Sequence, residues 1–277
     1  MPELPELEII REVLTRRIVG RQIAAVTVSP KGGPIVIRNS INLKFEDTLA
    51  GKRVISVGRR GKFILLHLEP DRLILAINPK LTGRLQLTHP GAKKAGPVHV
   101  TLHFSDPEEE LRYVDQKKMG QIYLTQDLAL IPMFDKLGPE ALEITREAFR
   151  RRLHSYRGEI KGILTRGSFV AGIGNAYADE ILWSARIHPY RKRPSLEDHE
   201  IDRLYDALRE VLMQAIDEVR TRMGDEIHRK PREFFAVHRK DGEKCPRCAT
   251  RISVVTANQR ITNFCRSCQP GGLFRGM

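Results

Sequence analysis

The chain has 277 residues, 41% hydrophobic, 6% aromatic and 29% charged, which is enough apolar content to build cores, excludes wholesale disorder and sets two domains as the expectation. Lys and Arg number 47 against 34 Asp and Glu, a formal net charge of +13 that points to a polyanionic partner, and nucleic acid is the usual one. The longest apolar runs, such as Phe63-Ile64-Leu65-Leu66, are too short to cross a bilayer and Met-Pro-Glu-Leu-Pro-Glu is no secretory signal, so no membrane partner and a cytoplasmic location are expected.

Pro2 to Arg17 reads as a helix. Leu4, Leu7, Ile10, Val13 and Leu14 recur every three or four residues, and Glu3, Glu6 and Glu8 crowd the first turns, where the helix dipole favours them. The same stretch is a candidate for chemistry. Trimming an initiator Met before Pro leaves Pro2 with a free secondary amine, which condenses with an aldehyde-like carbon to a permanently cationic iminium. Glu3 and Glu6 lie close by, and one of them could protonate a leaving sugar oxygen. A plain helix start accounts for the same residues.

From Arg21 to Leu124 the period falls to two. Runs such as Ala25-Val26-Thr27-Val28 and Val98 to Phe104, broken by Gly, Pro, Asp and Asn, predict a mostly antiparallel sandwich or barrel. Within it, Gly58-Arg59-Arg60-Gly61-Lys62 precedes a strand. Glycines flanking cations let a backbone approach phosphates, and a solvated basic turn reads equally well.

Beyond about Gln126 the strands stop, and helices are expected at 146–154, 159–166, 176–186 and 196–222. The last is the clearest, with a stripe of Ile201, Leu204, Leu208, Val211, Leu212, Ala215, Ile216 and Val219. Gly172-Ile173-Gly174-Asn175 opens the third of these helices, and backbone amides at such a start suit a phosphate. The segment is not a Rossmann fingerprint, since the third glycine and the surrounding α/β alternation are missing. His67, His103 and His154 read as packing or surface residues, Trp183 as core, and Arg150-Arg151-Arg152 as a solvated helix face.

All four cysteines come last, as Cys245-x2-Cys248, sixteen residues, then Cys265-x2-Cys268. This is the spacing of two metal knuckles joined by a hairpin, and four thiolates suit a closed tetrahedral Zn2+ that is structural rather than catalytic. Two disulfides are the poorer alternative in a cytosolic chain. The hairpin presents Gln259-Arg260-Ile261-Thr262. The expected organisation is an N-terminal helix plus β-sandwich over residues 1–126, a linker over 127–137, a helical domain over 138–232, a four-cysteine finger over 233–268 and a tail over 269–277, in a monomer.

Pro-Glu-Leu-Pro-Glu at the start, Arg-Arg-Gly-Lys before a strand, Gly-Ile-Gly-Asn-x-Tyr-x-x-Glu and the C-x2-C-x16-C-x2-C pattern occur in that order. Together they resemble the formamidopyrimidine-DNA glycosylase / endonuclease VIII family from residue 2 to 268. The resemblance implies an α+β fold: an antiparallel β-sandwich with an N-terminal helix, a helix-two-turn-helix domain and a zinc-finger β-hairpin. It implies a base-excision repair enzyme acting on double-stranded DNA with a damaged base or abasic site. DNA would lie in a cleft between the halves with the damaged nucleotide flipped out. Pro2 would attack C1′, expel the base and form a Schiff base, followed by β- and then δ-elimination. Glu3 would be the acid at the sugar. Lys62 matches a phosphate ligand also linked to β-elimination, Asn175 the asparagine that holds phosphates beside the lesion, and Arg260 a phosphate clamp also linked to δ-elimination. Glu6 and Glu180 match carboxylates near the nucleophile. Two rivals remain: a non-catalytic reader of damaged or abasic DNA on the same scaffold, and a zinc-ribbon RNA-binding protein. The second leaves Pro2-Glu3 and Gly174-Asn175 unexplained.

The departures from the family pattern concern lesion choice. Where the family has His-Leu-x-Met before Thr-Gly-Arg, this chain has Asn78-Pro79-Lys80-Leu81, so a phosphate-contacting histidine becomes Asn78 and the methionine that fills the vacated helix becomes Leu81. Where it has Asp-x-Arg-Arg/Lys-Phe-Gly, this chain has Asp115-Gln116-Lys117-Lys118-Met119-Gly120. The arginine that reads the orphaned base is thus Lys117, without a planar fork, and the phenylalanine wedge is Met119. Leu and Met can still wedge between base steps. The segment from Met223 to Arg239 is short and lacks the Gly-Gly-Ser/Thr pattern of members that cap an oxidised purine.

Overall fold

The computed structural model describes residues 1–41, 43–105, 108–257 and 260–271, and for Ala257 and Arg260 the backbone alone. The expected tail therefore lies outside the described residues from 272 onward. The chain divides into two compact units, Met1–Asp135 with Val219–Pro231, and Lys136–Glu218 with Arg232–Met277.

In the first unit, helix α1 (Leu4–Ile18) starts two residues later than its periodicity suggests, because Glu3 is the N-cap and Pro2 precedes it in extended chain. Strand β1 (Ile23–Val28), the short helix α2 (Gly33–Val36), strand β2 (Ile37–Asn39) and the short helix α3 (Phe45–Leu49) follow. Then come β3 (Arg53–Arg60), β4 (Phe63–Glu69), β5 (Leu73–Asn78), β6 (Gly83–Thr88), β7 (Val98–Ser105), β8 (Glu108–Asp115) and β9 (Gln121–Thr125). They form two sheets, β1-β7-β8-β6 and β2-β9-β5-β4-β3. All pairings are antiparallel except the edge pair β2–β9, which is parallel. Strand β4 buries Phe63, Ile64, Leu65, Leu66 and Leu68 on both faces, which is why its sequence is a continuous apolar run rather than an alternation. Its register sets Leu66 against Leu75, and Leu75 against Leu124. The buried face of α1, with Leu7, Ile10, Leu14 and Ile18, packs on β3 and β4.

Residues 219–231 also belong to this unit, although the sequence reading groups them with the helical domain. Ion pairs explain it. Arg220 binds Glu12 at 3.1 Å, and Arg16 and Arg17 both reach Asp225, the latter at 3.0 Å.

The second unit holds α4 (Arg146–His154), α5 (Ile160–Leu164), α6 (Asn175–Ser184) and most of α7 (Asp198–Met223). Helix α5 is shorter than expected, ending at the Thr165 C-cap. The arginines of α4 are not all a solvated face. Arg150 is paired with Asp202, and Arg152 donates to the carbonyls of Ser168 at 2.6 Å and Phe169 at 3.0 Å. An antiparallel hairpin of β10 (Ser253–Ala257) and β11 (Arg260–Phe264) joins the two cysteine knuckles. Among the described residues, no helix is long and apolar enough to cross a membrane.

Candidate functional site

The N-terminus is held by its own first turn. Pro2 is buried. Glu3 and Glu6 are 3% and 1% exposed, and the Glu3 backbone N–H donates to Glu6 Oε2 at 2.9 Å, one half of a capping box. Glu6 thus fixes the residue that follows Pro2.

One turn on, Glu8 receives Arg11 at 2.6 Å on Oε1 and Arg59 at 2.7 Å on Oε2. Burial alone would raise this carboxyl, but the two guanidiniums overcome it and hold it below the ordinary value. Arg59 also donates to the Gly61 carbonyl at 3.2 Å. One side chain therefore ties α1 to the β3–β4 turn, Gly61-Lys62, and the basic motif splits in role. Arg59 is an internal brace, while Lys62 sits on the braced turn.

Two loops of the same unit carry the expected wedges. Leu81, in the β5–β6 connection, is 49% exposed, and Met119, in the β8–β9 connection, is 48% exposed. Asn78 at the end of β5 is buried, and its side-chain oxygen accepts the Lys80 backbone N–H at 3.2 Å. It forms the turn rather than standing on the surface. Lys117 is exposed, and its backbone N–H is bonded to Thr82 Oγ1 at 3.0 Å, so the loops touch. A cleft of about 500 Å³ beside β6, lined by Gln86, Lys93, Lys94, Glu226 and His228 among others, holds none of the expected site residues.

In the second unit, Asn175 is the first residue of α6, after Gly174 as N-cap. Its side-chain N–H donates to the Ile261 carbonyl at 2.7 Å. Buried Lys161 donates to the same carbonyl at 3.0 Å and to Thr262 Oγ1 at 2.8 Å, and pairs with Asp179 at 2.6 Å. Asp179 also contacts His238 Nδ1 at 2.8 Å. This network grips β11 immediately after Arg260, whose side chain lies outside the described residues. Glu180 is occupied within its own unit: its carboxylate accepts the backbone N–H groups of Ala236, Val237 and His238 at 2.7–3.0 Å. Burial nonetheless pushes its carboxyl above the ordinary value.

The four cysteine sulfurs lie within 4.8 Å of one another. Cys245 and Cys268 are 3.9 Å apart, and Cys248 and Cys265 3.4 Å. A tetrahedron with metal–sulfur bonds of about 2.3 Å has edges of about 3.8 Å, so the set fits one Zn2+ with no position left for a water. Its electrostatics ask for a cation. Hydrogen bonds from Thr250 bring the Cys248 thiol down to about 6, while burial and the neighbouring sulfurs push Cys268 up to about 12. Trp183 Nε1 donates to Cys245 Sγ at 3.4 Å, and the Arg247 guanidinium covers the indole at 4.1 Å. Trp183, read from sequence as core, is thus a neighbour of the metal ligands.

Sequence reasoning missed the braces, Glu8, Asp115, Lys161 and Asp179. The available signal was a lone Lys161 inside the apolar Ile160-Lys161-Gly162-Ile163-Leu164 helix and an Asp at the end of a strand.

Three family descriptions match in chain order: formamidopyrimidine-DNA glycosylase N-terminal domain over residues 1–122, its H2TH domain over 137–225, and a zinc finger found in FPG and IleRS over 242–271. The formamidopyrimidine-DNA glycosylase of Pelotomaculum thermopropionicum is 36% identical, over 97% of this chain and 99% of its own. That of Heliobacterium modesticaldum is 38% identical, over 97% and 100%. The Lactococcus lactis Fpg in complex with abasic-site DNA superposes with a TM-score of 0.85 at 31% identity, covering 97% of this chain and 100% of that one. A MutM complex with DNA containing carbocyclic 8-oxo-G gives 0.84 at 31% identity, over 98% and 100%. With all three modules and two relatives matched over nearly their full length, the chain belongs to the formamidopyrimidine-DNA glycosylase family, and is a DNA glycosylase and abasic-site lyase of base-excision repair.

Proposed function

We propose that the Pro2 nitrogen, freed by removal of Met1, is the nucleophile. It attacks C1′ of a damaged nucleotide in double-stranded DNA as the bond to the base breaks. The resulting iminium draws electrons from C2′, so the C2′ proton leaves and the 3′ phosphate departs, and a second elimination releases the 5′ phosphate. Glu3 protonates the sugar oxygen. Lys62, Asn175 and Arg260 hold phosphates flanking the lesion, with Lys62 and Arg260 assisting the two eliminations. Leu81 and Met119 fill the space the flipped nucleotide leaves, and Lys117 faces the orphaned base. The observation that carries the reading is the first turn, where Pro2 is buried next to Glu3 and Glu6 caps the helix behind them. The protein works in the cytoplasm, on the nucleoid.

Lesion choice is proposed to differ from that of members with Arg and Phe in these loops. A lysine offers a point charge rather than a fork, so opposite-base selectivity is relaxed. The short 223–239 segment leaves an oxidised purine without a cap.

Borohydride trapping on an abasic duplex, with mass spectrometry of the N-terminus, tests the chemistry. The expected result is a covalent adduct on a chain that begins at Pro2, and sharply reduced turnover in Pro2→Gly and Glu3→Gln. Tight binding without an adduct, on a chain shown to lack Met1, would leave a reader of damage instead of a cutter. Single-lesion duplexes carrying 8-oxoguanine, formamidopyrimidine, thymine glycol, dihydrouracil or uracil then rank the bases.

A further inference from the structure

Asp115 closes β8 and is 1% exposed. Its carboxylate accepts four hydrogen bonds. Oδ1 takes the Thr82 hydroxyl and the Lys117 backbone N–H at 3.2 Å; Oδ2 takes the Gly120 backbone N–H at 2.7 Å and the Tyr113 hydroxyl at 3.1 Å. Four donors on two oxygens saturate the group. Thr82 lies one residue after Leu81, while Lys117 and Gly120 bracket the loop that carries Met119. One carboxylate is thus shared between the two loops.

Its own backbone is pinned too. The Asp115 N–H donates to the Pro97 carbonyl at 3.1 Å, and its carbonyl accepts from His99 Nε2 at 2.8 Å. A Cβ at either Gly83 or Gly120 would run into the Tyr113 hydroxyl, so only glycine allows both loops to close on the hub. Each loop also holds a non-glycine residue in the left-handed region, Lys80 at φ 50° and Lys118 at φ 53°. Such conformations persist where their surroundings over-determine them. The tips, Leu81 and Met119, stay about half exposed on this fixed base.

We infer that Asp115 is a positioning residue that joins the two loops into one block, so that Leu81, Lys117 and Met119 meet the duplex together. This rests on the reading of Leu81 and Met119 as wedges. Two loops that must each be ordered on binding lose affinity to that ordering, whereas a block that is already set does not. The block therefore acts on discrimination between damaged and intact DNA, because only a vacated helix admits the wedges. Contacts to phosphates on undamaged duplex do not depend on it.

Asp115→Asn is the sharpest perturbation. It keeps the shape, but whichever way the amide turns, its NH2 faces a backbone N–H of the Met119 loop, Lys117 on one side or Gly120 on the other, and that bond is lost while the Thr82 or Tyr113 hydroxyl can turn to accept. The full-length zinc-loaded protein is titrated with a duplex carrying a tetrahydrofuran abasic analogue and with its undamaged counterpart. Asp115→Asn is expected to lower the ratio of the two affinities by about tenfold, the equivalent of one lost buried hydrogen bond, with undamaged-duplex affinity unchanged. A merely structural role would weaken both affinities alike and leave the ratio intact, and that result overturns the inference. Thr82→Val cuts the link to one loop only, and a drop of about threefold is expected. It decides the matter should Asp115→Asn fail to fold, an unchanged ratio counting against the inference. A cycle of Leu81→Ala and Met119→Ala separates the coupling from the wedge reading. Single and double losses that are non-additive in the wild type but additive on the Asp115→Asn background support the block. Additive losses in the wild type overturn the coupling. No loss from either alanine refutes the wedges themselves.

Discussion

Replacing Arg59 by Met tests whether the brace between α1 and the Lys62 turn matters to both stability and cleavage. The Arg59 side chain is 9% exposed and donates to Glu8 and to the Gly61 carbonyl. Methionine keeps most of the stem volume and removes the donors. Each charge-assisted hydrogen bond contributes about 1.5–3 kcal/mol. Arg11 remains on Glu8 at 2.6 Å and offsets part of the loss, which leaves about 2 kcal/mol. For a unit of this size that is about 6 °C in Tm. The effect carries a pH signature. Glu8 is held below its ordinary value of 4.5, so the stabilisation is present in full above the unfolded value and fades as pH falls through the lower, folded one. The Tm gap between wild type and Arg59→Met should be full at neutral pH and should shrink below about pH 4. Strand cleavage on an abasic duplex should slow, because the Gly61-Lys62 turn loses its tie to α1. Melting curves at the two pH values, with cleavage rates alongside, check this. A Tm gap of equal size in acid, or none at neutrality, refutes the electrostatic account. A stability loss with unaltered cleavage refutes the link to Lys62.

Removing zinc with a chelator should abolish abasic-duplex affinity and alter the emission of the single tryptophan, since Trp183 donates to Cys245 Sγ; re-addition of Zn2+ should restore both. Trp183→Phe should keep the fold but lower zinc affinity several-fold, about 1 kcal/mol for one N–H···S bond, read by competition with a chromophoric chelator. Lys117→Arg supplies the planar fork this chain lacks, and should sharpen the preference among opposite bases by about tenfold, measured as cleavage rates opposite each of the four.

The order of elements was legible because each rests on a local signal. The stripe of α7 and the apolar run of β4 follow from periodicity, and the cysteine pairs from their spacing. The attachment of 219–231 to the first unit was not legible, because Arg220–Glu12 and Arg17–Asp225 are pairs separated by about two hundred residues and lie in stretches that are ordinarily charged. The residues proposed for the site were visible as ordered motifs, but the division between site and support was not. Arg59 and Lys62 look alike in the sequence. Only the position of Glu8 on a neighbouring helix makes one a brace.

A common device stands behind the groups proposed to meet DNA. Glu6 caps the turn after Pro2, Glu8 fixes Arg59 and with it the Lys62 turn, Asp115 gathers the loops of Leu81 and Met119, and Asp179 sets Lys161 against β11 beside Arg260. In a chain of net charge +13, these acids are buried or half-buried and spend their oxygens on backbone N–H groups, hydroxyls and selected cations. Burying a carboxylate is costly unless its lone pairs are satisfied, so each such site tolerates few arrangements of the chain around it. That intolerance is useful here. A surface ion pair spends a cation, as Arg16 and Arg220 are spent on Asp225 and Glu12. An acid placed inside, behind a loop, orders that backbone mainly through N–H groups, hydroxyls and cations that are themselves buried, such as Arg59 and Lys161.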